Sequence, residues 1–188
     1  MYNRSMDTQY ETATFANGCF WCTEAIFQRL KGVKSVSPGY TGGTTVNPSY
    51  EDVCNGNTGH AEALQIIFDP SVITYEKLLD VYWHTHNPTT LNRQGSDVGT
   101  QYRSVIFYQN ERQKEAAEKS KIELEESGYY PDPIVTKIEP LNAWFAAEDY
   151  HKDYYNKNGS AGYCSVIIDP KVRKFIAEYS QDVQDKYK

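Results

Sequence analysis

The sequence lacks the long apolar runs that membrane spans and secretory leaders require. No stretch of its 188 residues is apolar for long enough to cross a bilayer, and the N-terminal segment MYNRSMDTQYETATF has no apolar core. Internal repeats, low-complexity tracts and Gly/Pro/Ser-rich linkers are also missing. We therefore expect a cytoplasmic protein whose residues 1–188 form a single domain. In that reducing compartment its four cysteines should remain thiols.

Positive charge is scarce as well. The chain has 19 Lys and Arg residues against 25 Asp and Glu residues, a formal net charge of −6. This balance argues against nucleic acid or an anionic membrane as a partner. What the chain does have is tyrosine, with 16 residues. We expect most of them to be half-buried packing residues, and a few to line a site that needs apolar walls and hydrogen-bond donors.

Strand and helix patterns alternate along the chain without a nucleotide-binding glycine signature. The patterns predict strands over residues 12–15, 33–40 (breaking at Pro38-Gly39), 62–68, 103–108, 134–139 and 165–168. They predict helices over 21–30, 75–84, 111–127 (capped by Asn110 and ended by Gly128), near 146–155 and from Lys171 onward. Long loops at 41–57 and 87–101 are candidates for function. We expect an α/β (α+β) two-layer sandwich, with helices packed on a mixed sheet around a ferredoxin-like core.

Cys19 follows the first predicted strand and stands at the start of the first predicted helix. Unpaired N–H groups and the helix dipole favour negative charge at such a position. A free thiol has a pKa of about 8.5, and we expect this placement to lower it. The thiolate is the reactive species, so Cys19 is a candidate nucleophile.

The pair Cys19 and Cys22 also fits a redox motif or half of a zinc site. Zinc is disfavoured because Cys54 and Cys164 stand alone, and because no second paired-cysteine or histidine knuckle has ligand spacing. We expect no metal and no cofactor. An unpaired cysteine such as Cys54 is most simply a small buried apolar residue.

Six blocks, in order and at plausible spacing, resemble the peptide methionine sulfoxide reductase A family. They are GCFW (18–21), PGYTGG (38–43), NPSY (47–50), VCNGNTGHAE (53–62), QGSDVGTQYRS (94–104) and AEDYHKDY (147–154). The resemblance covers most of a family-like core at about 10–168. Residues from about 171 to 188 match no motif, and we interpret them as a C-terminal helical extension.

The resemblance implies roles for several residues. Glu62 matches the family's acid, although by itself it would be an exposed carboxylate at a strand start. Tyr50 and Tyr102 match tyrosines that hydrogen-bond the sulfoxide oxygen. Two further assignments have alternatives. Phe20 and Trp21 match a methyl-binding pocket, although periodicity alone favours simple core packing. Asp97 matches a position that orients substrate or water, but a structural role, in which its side chain forms a turn within its own loop, explains it nearly as well.

The resemblance also implies reduction of the S epimer of methionine sulfoxide, free or in proteins, in the repair of oxidised proteins. Cys19 would become a sulfenic acid, a second cysteine would form a disulfide with it, and thioredoxin or a similar dithiol would reduce that disulfide. We expect Cys164 to be the resolving cysteine, aided by mobile residues 159–162. Cys22 is the alternative, or a third member that passes the disulfide on. We also expect a monomer.

Two other functions remain open on the sequence. A general thiol–disulfide oxidoreductase would use Cys19 and Cys22, but would leave Tyr50, Glu62 and Tyr102 without roles. A binding module that recognises oxidised methionine without reducing it would not need both a nucleophile and an acid.

Overall fold

The computed structural model describes residues 9–188, so what the sequence predicts for residues 1–8 lies outside the described residues. Within the described part, a six-stranded mixed sheet has the order β7-β6-β1-β3-β2-β8. Its strands are β1 (Glu11–Asn17), β2 (Val33–Thr41), β3 (Ala61–Phe68), β6 (Ser104–Tyr108), β7 (Lys137–Pro140) and β8 (Phe145–Ala146). A separate small hairpin consists of β4 (Arg93–Gln94) and β5 (Asp97–Val98). Neighbouring strands of the large sheet are antiparallel except for the parallel pair β6 and β7.

The helices connect these strands in a recognisable order. They are α1 (Phe20–Phe27), α2 (Tyr50–Cys54), α3 (Tyr75–His84), α4 (Glu111–Ser127), α5 (Tyr154–Lys157) and α6 (Asp169–Glu178). The series β1-α1-β2-β3-α3-β6, with the sheet order β6-β1-β3-β2, is the βαββαβ arrangement of ferredoxin-like folds. The predicted mixed sheet with a ferredoxin-like core is confirmed. In residues 9–188 no helix combines the length and the apolar character needed to span a membrane.

Side-chain alternation along the strands gives the sheet two different faces. On one face Phe15, Leu64 and Ile106 pack with residues of α1 and α3, such as Phe27 and Leu78, in the largest core cluster. The other face carries a smaller cluster of Ala16, Ala61, Ala63, Val105 and Phe107, covered by the segment that contains Leu141 and Trp144. The main core thus supports α1, the helix that Cys19 precedes.

The best-predicted helices are those whose ends are encoded locally. Helix α4 begins after Asn110, whose side chain accepts a hydrogen bond from the N–H of Gln113, and ends at Gly128 in a left-handed conformation. Helix α3 likewise has its predicted bounds, with the Thr74 side chain as its N-cap.

The expected break of β2 at Pro38-Gly39 is wrong. Strand β2 continues to Thr41, because Pro38 pairs with Leu64 of β3 and its carbonyl accepts a hydrogen bond from Ala147 N–H at 3.0 Å. Gly39 has no space for a side chain, since a Cβ would lie 2.4 Å from Trp144. A neighbouring segment therefore maintains the strand that the local sequence would interrupt.

Two predicted elements near the C-terminus are also wrong. The predicted helix near 146–155 is replaced by β8, a 3₁₀ turn at Asp149–His151 and the short α5, because strand pairing with β2 takes the start of the segment. The predicted strand at 165–168 is a π-helical turn, Cys164–Ile168, which runs into α6. Its two ends, Cys164 and Ile168, are the residues buried against α1.

The C-terminal helix ends at Glu178 rather than continuing to Lys188. The chain then returns to the end of α1, where Val183 pairs with Leu30. There the Gln184 side-chain amide donates to the carbonyls of Gln28 (3.1 Å) and Leu30 (3.0 Å). The tail thereby supplies donors to carbonyl groups just past the end of α1.

Candidate active site

Cys19 is the N-cap of α1, in the turn that joins β1 to this helix. Its carbonyl accepts hydrogen bonds from the N–H groups of Cys22 (3.1 Å) and Thr23 (3.3 Å), which start the helix. The preceding Gly18 has a φ of +104°, and a Cβ there would lie 2.7 Å from the side chain of Gln94. Only glycine therefore allows this turn.

The thiols of Cys19 and Cys22 form a buried hydrogen-bonded pair. Burial raises the pKa of Cys19 well above its usual range, and the pairing with Cys22 and the charge of Glu62 add to this. The pKa of Cys22 is lowered to about 7, chiefly by the hydrogen bond from Cys19 and further by the Lys171 ammonium. The prediction that the helix start lowers the pKa of Cys19 is wrong, because removal from water outweighs the helix dipole here. Cys22 is therefore the first of the two thiols to lose its proton as pH rises.

Glu62 is the second residue of β3, and its side chain is buried beside the start of α1. Its Oε2 atom accepts a hydrogen bond from the N–H of Phe20, at 3.0 Å. Burial raises the pKa of this carboxyl to about 8, and the charges of Asp97 and Cys22 act in the same direction. Glu62 therefore holds its proton at neutral pH, one residue away from the Cys19 backbone.

Two half-buried tyrosines lie near this carboxyl. Burial raises the pKa of both Tyr50 and Tyr102, and the charge of Glu62 adds to it in both cases. Tyr50 begins α2, a helix with a Ser49 capping box, and its N–H donates to Glu148 Oε1 at 2.9 Å. Both phenols remain protonated, so both are hydrogen-bond donors at the Glu62 end of the site.

Aromatic rings form a wall next to the thiols. The Phe20 ring is buried and stacks with Tyr50, with ring centroids 6.4 Å apart. The Trp21 ring is half-buried and lies flat on Tyr154, with a centroid distance of 3.7 Å and an interplanar angle of 5°. Its indole N–H donates to Nδ1 of His151 at 3.0 Å, which fixes the plane of the ring. The wall is therefore apolar, and contacts on the face of the Trp21 ring and at its indole nitrogen fix that ring in place.

Asp97 lies on the small hairpin, and its Oδ2 accepts a hydrogen bond from the Tyr163 hydroxyl at 2.7 Å. The same hydroxyl lies 4.0 Å from Cys22 Sγ. Asp97 therefore contacts the thiol pair through Tyr163, and this long-range hydrogen bond does not belong to a turn within its own loop.

The other two cysteines differ in exposure. Cys164 is fully buried at the start of the π-helical turn and packs in the same cluster as Cys19 and Cys22. Burial raises its pKa, and the charge of Cys22 adds to this. The expectation that Cys54 is buried is wrong. It is partly exposed at the end of α2, and its thiol hydrogen-bonds the Tyr50 hydroxyl.

The sequence interpretation assigned no role to several residues that contact the site. These are His151, Tyr154, Tyr163, Glu148 and Lys171. Three of them lie in the sequence block at 147–154, which the resemblance had singled out. The residue types in that block do not by themselves indicate that the side chains contact α1. Within residues 9–188, no three His, Cys, Asp or Glu side chains are grouped to hold a metal ion.

A hydrogen-bonded thiol pair at a helix start, beside a protonated carboxyl on a ferredoxin-like sheet, defines a thiol-based oxidoreductase. A family model described as peptide methionine sulfoxide reductase matches residues 11–184. The chain belongs to the peptide methionine sulfoxide reductase family.

Relatives and solved structures agree with this membership. Peptide methionine sulfoxide reductase MsrA of Sulfolobus acidocaldarius is 54% identical over 169 residues, 90% of this chain and 95% of that protein. Reduced Mxr1 of Saccharomyces cerevisiae is 35% identical with a TM-score of 0.74, over 87% of this chain and 92% of that chain. Mxr1 in complex with Trx2 is 25% identical with a TM-score of 0.51, over 80% of this chain and 91% of that chain.

Proposed function

We propose that the chain reduces the S epimer of methionine sulfoxide, free or in proteins, with Cys19 as nucleophile and Glu62 as acid. The observation that carries this proposal is the buried Glu62 carboxyl, whose pKa of about 8 keeps its proton available beside Cys19. Sulfoxide reduction needs both a sulfur nucleophile and a proton for the departing oxygen.

In the first half of the reaction, the Cys19 proton moves to the Cys22 thiolate with which it is already hydrogen-bonded. Cys19 sulfur then attacks the sulfoxide sulfur and forms an S–S bond, while Glu62 gives its proton to the oxygen, the S–O bond of the substrate breaks and the oxygen leaves as hydroxide. The hydroxide bonds to the Cys19 sulfur and the S–S bond breaks, so that methionine is released with its sulfur reduced and Cys19 is left oxidised as a sulfenic acid. Hydroxyl groups of Tyr50 and Tyr102 stabilise the charge that develops on the oxygen.

Phe20 and Trp21 supply the apolar surface on which the substrate methyl group rests. Trp21 suits this role because Tyr154 and His151 fix its ring on the face and at the nitrogen. Asp97 acts through Tyr163 to orient the polar side of the site. A preorganised pocket of this kind contributes by holding the sulfur at the distance and angle of attack.

In the second half, a disulfide forms and is reduced. Cys22 is hydrogen-bonded to Cys19, and Cys164 lies behind it in the same buried cluster. These contacts favour a relay in which Cys22 reacts with the Cys19 sulfenic acid and Cys164 is the final resolving cysteine. Direct resolution by either one is the simpler alternative.

Thioredoxin is the proposed dithiol reductant, supported by the similarity to Mxr1, which has been captured in complex with Trx2. We further propose that residues 1–188 act as a monomeric single domain in the cytoplasm, with no membrane or nucleic acid partner.

The experiment uses the resolved S and R epimers of a methionine sulfoxide peptide with excess dithiothreitol, and Cys19→Ser in parallel. We expect methionine from the S epimer alone, abolished in the variant. Methionine from neither epimer would disprove the proposal. An insulin reduction assay would then test general disulfide exchange by Cys19 and Cys22, the function that their adjacency otherwise favours.

A further inference from the structure

We infer that Lys171 of α6 is a positioning residue for the reductase, which holds Cys22 as a thiolate for disulfide formation. This inference rests on the proposed function for its role in turnover. Lys171 stands in the first turn of α6, and its Nζ atom lies 4.0 Å from Cys22 Sγ. Val172 and Phe175 bury the same helix against the core and so fix this approach.

Other groups also face Cys22, but they differ from Lys171 in whether they can stabilise a Cys22 thiolate during disulfide formation. Cys19 donates its thiol proton to Cys22 in the reduced protein, but the first half of the reaction consumes that thiol. The Tyr163 hydroxyl has a single hydrogen, which it donates to Asp97. Towards Cys22 it therefore presents an oxygen lone pair. Once Cys19 is a sulfenic acid, Lys171 is the positive group that remains beside Cys22.

Negative and neutral groups complete the surroundings of Cys22. The Asp97 carboxylate raises the pKa of Cys22, and Glu62 becomes negative after giving up its proton. His86 stays neutral, because burial lowers its pKa to about 3 and the charge of Lys171 acts in the same direction. Within residues 9–188, no carboxylate lies within 4.0 Å of Lys171 Nζ. Its charge is therefore not neutralised by an ion pair.

The disulfide step balances with Cys22 as the attacking sulfur. Cys22 releases its proton to become a thiolate and attacks the Cys19 sulfur, so that an S–S bond forms and the S–O bond breaks. The hydroxide that leaves takes up the released proton and departs as water. Cys22 is oxidised and Cys19 is reduced, each to the disulfide level. A nearby ammonium increases the thiolate fraction at neutral pH.

The test measures the ionisation of Cys22 directly, as the pH dependence of its alkylation by iodoacetamide. The parent variant carries Cys19→Ser, Cys54→Ser and Cys164→Ser, so that Cys22 is the one thiol and a hydroxyl replaces the Cys19 donor. The midpoint of the parent is the reference for the lysine variants. Lys171→Met should raise that midpoint by about one unit.

Two matched variants serve as controls. Lys171→Arg retains a positive charge and should keep the parent midpoint. Lys174→Met removes an exposed lysine from the same helix, one that pairs with Glu178 at 3.8 Å, and should also match the parent. An unchanged midpoint in Lys171→Met would overturn the inference. Because alkylation needs no turnover, this result is independent of whether the protein reduces sulfoxides.

Turnover with all four cysteines present gives the second readout. Lys171→Met should retain the final yield of methionine from the first turnover, and should lose about fivefold in thioredoxin-coupled rate at neutral pH, in proportion to the Cys22 thiolate fraction. The loss should disappear as pH rises. A loss of equal size at every pH would indicate a merely structural role and would also overturn the inference.

Discussion

At the scale of single residues, the Glu62 carboxyl is a neutral acid in a buried position. We expect Glu62→Gln to slow first-turnover methionine formation about a hundredfold to ten-thousandfold, the usual contribution of a general acid. The wild-type rate should fall as pH rises through about 8, where Glu62 loses its proton. The measurement is rapid-quench chromatography of methionine as a function of pH.

The matched control is Glu123→Gln, which removes an exposed carboxylate that pairs with Lys119 at 3.7 Å on α4. This variant should keep both the wild-type rate and the fall near pH 8. If Glu62→Gln itself retained that fall, another group would be the acid.

The residue types at the site follow from the sequence, whereas their protonation states do not. The position of Cys19 at a helix start is correctly predicted from the strand, the Asn-Gly turn and the apolar pattern that follows. Its high pKa comes chiefly from burial in a cluster that includes the distant π-helical turn, then from the neighbouring Cys22 thiol and from the distant Glu62. Local electrostatics therefore gave the wrong direction for Cys19, because the dominant cause was not local.

At the scale of elements, the segment just after α1 depends on the C-terminal tail for side-chain donors. We expect Gln184→Ala to lower the free energy of unfolding by about 1–3 kcal/mol, because the Gln28 carbonyl loses a donor and the Leu30 carbonyl keeps only the N–H of Val33. The measurement is urea unfolding. Gln181→Ala is the control, since that exposed residue contributes only its backbone carbonyl, to Lys31. Equal stability of the two variants would contradict the capping role.

Elements whose ends are encoded by neighbouring residues were predictable from the sequence. Elements whose hydrogen-bond partners are distant in the chain were not. Asn110 and Gly128 encode both ends of α4 within a few residues. The segment at 146–155, in contrast, pairs with β2, and the N–H groups of Asp153 and Tyr154 donate to the buried carboxylate of Glu24 on α1. The sequence pattern of that segment favours a helix, but its backbone instead forms hydrogen bonds with residues more than a hundred positions away.

At the scale of the whole molecule, the proton of Glu62 links stability to pH. Its pKa is about 8 in the folded protein and near 4.5 in the unfolded chain, so the folded state binds more protons between these values. The stabilisation is complete below pH 4.5 and is lost as pH rises to about 8. The shift corresponds to about 5 kcal/mol.

Glu62→Gln should therefore gain stability relative to the wild type as pH rises across this window, because the amide has no proton to lose. Urea unfolding at a series of pH values measures the difference. Glu123→Gln should show a difference that does not vary with pH. Parallel curves for Glu62→Gln and wild type would contradict the assignment of a raised pKa to Glu62.

The contact between Gln184 and the end of α1 spans 154 positions of sequence to Leu30. During synthesis on the ribosome, the segment with Cys19 emerges more than a hundred residues before the tail that packs after its helix. Contacts between such distant positions form late, because a long loop must close first. Between these two points the nascent chain therefore carries its reactive thiols without the finished site, and depends until then on the reducing power of its surroundings.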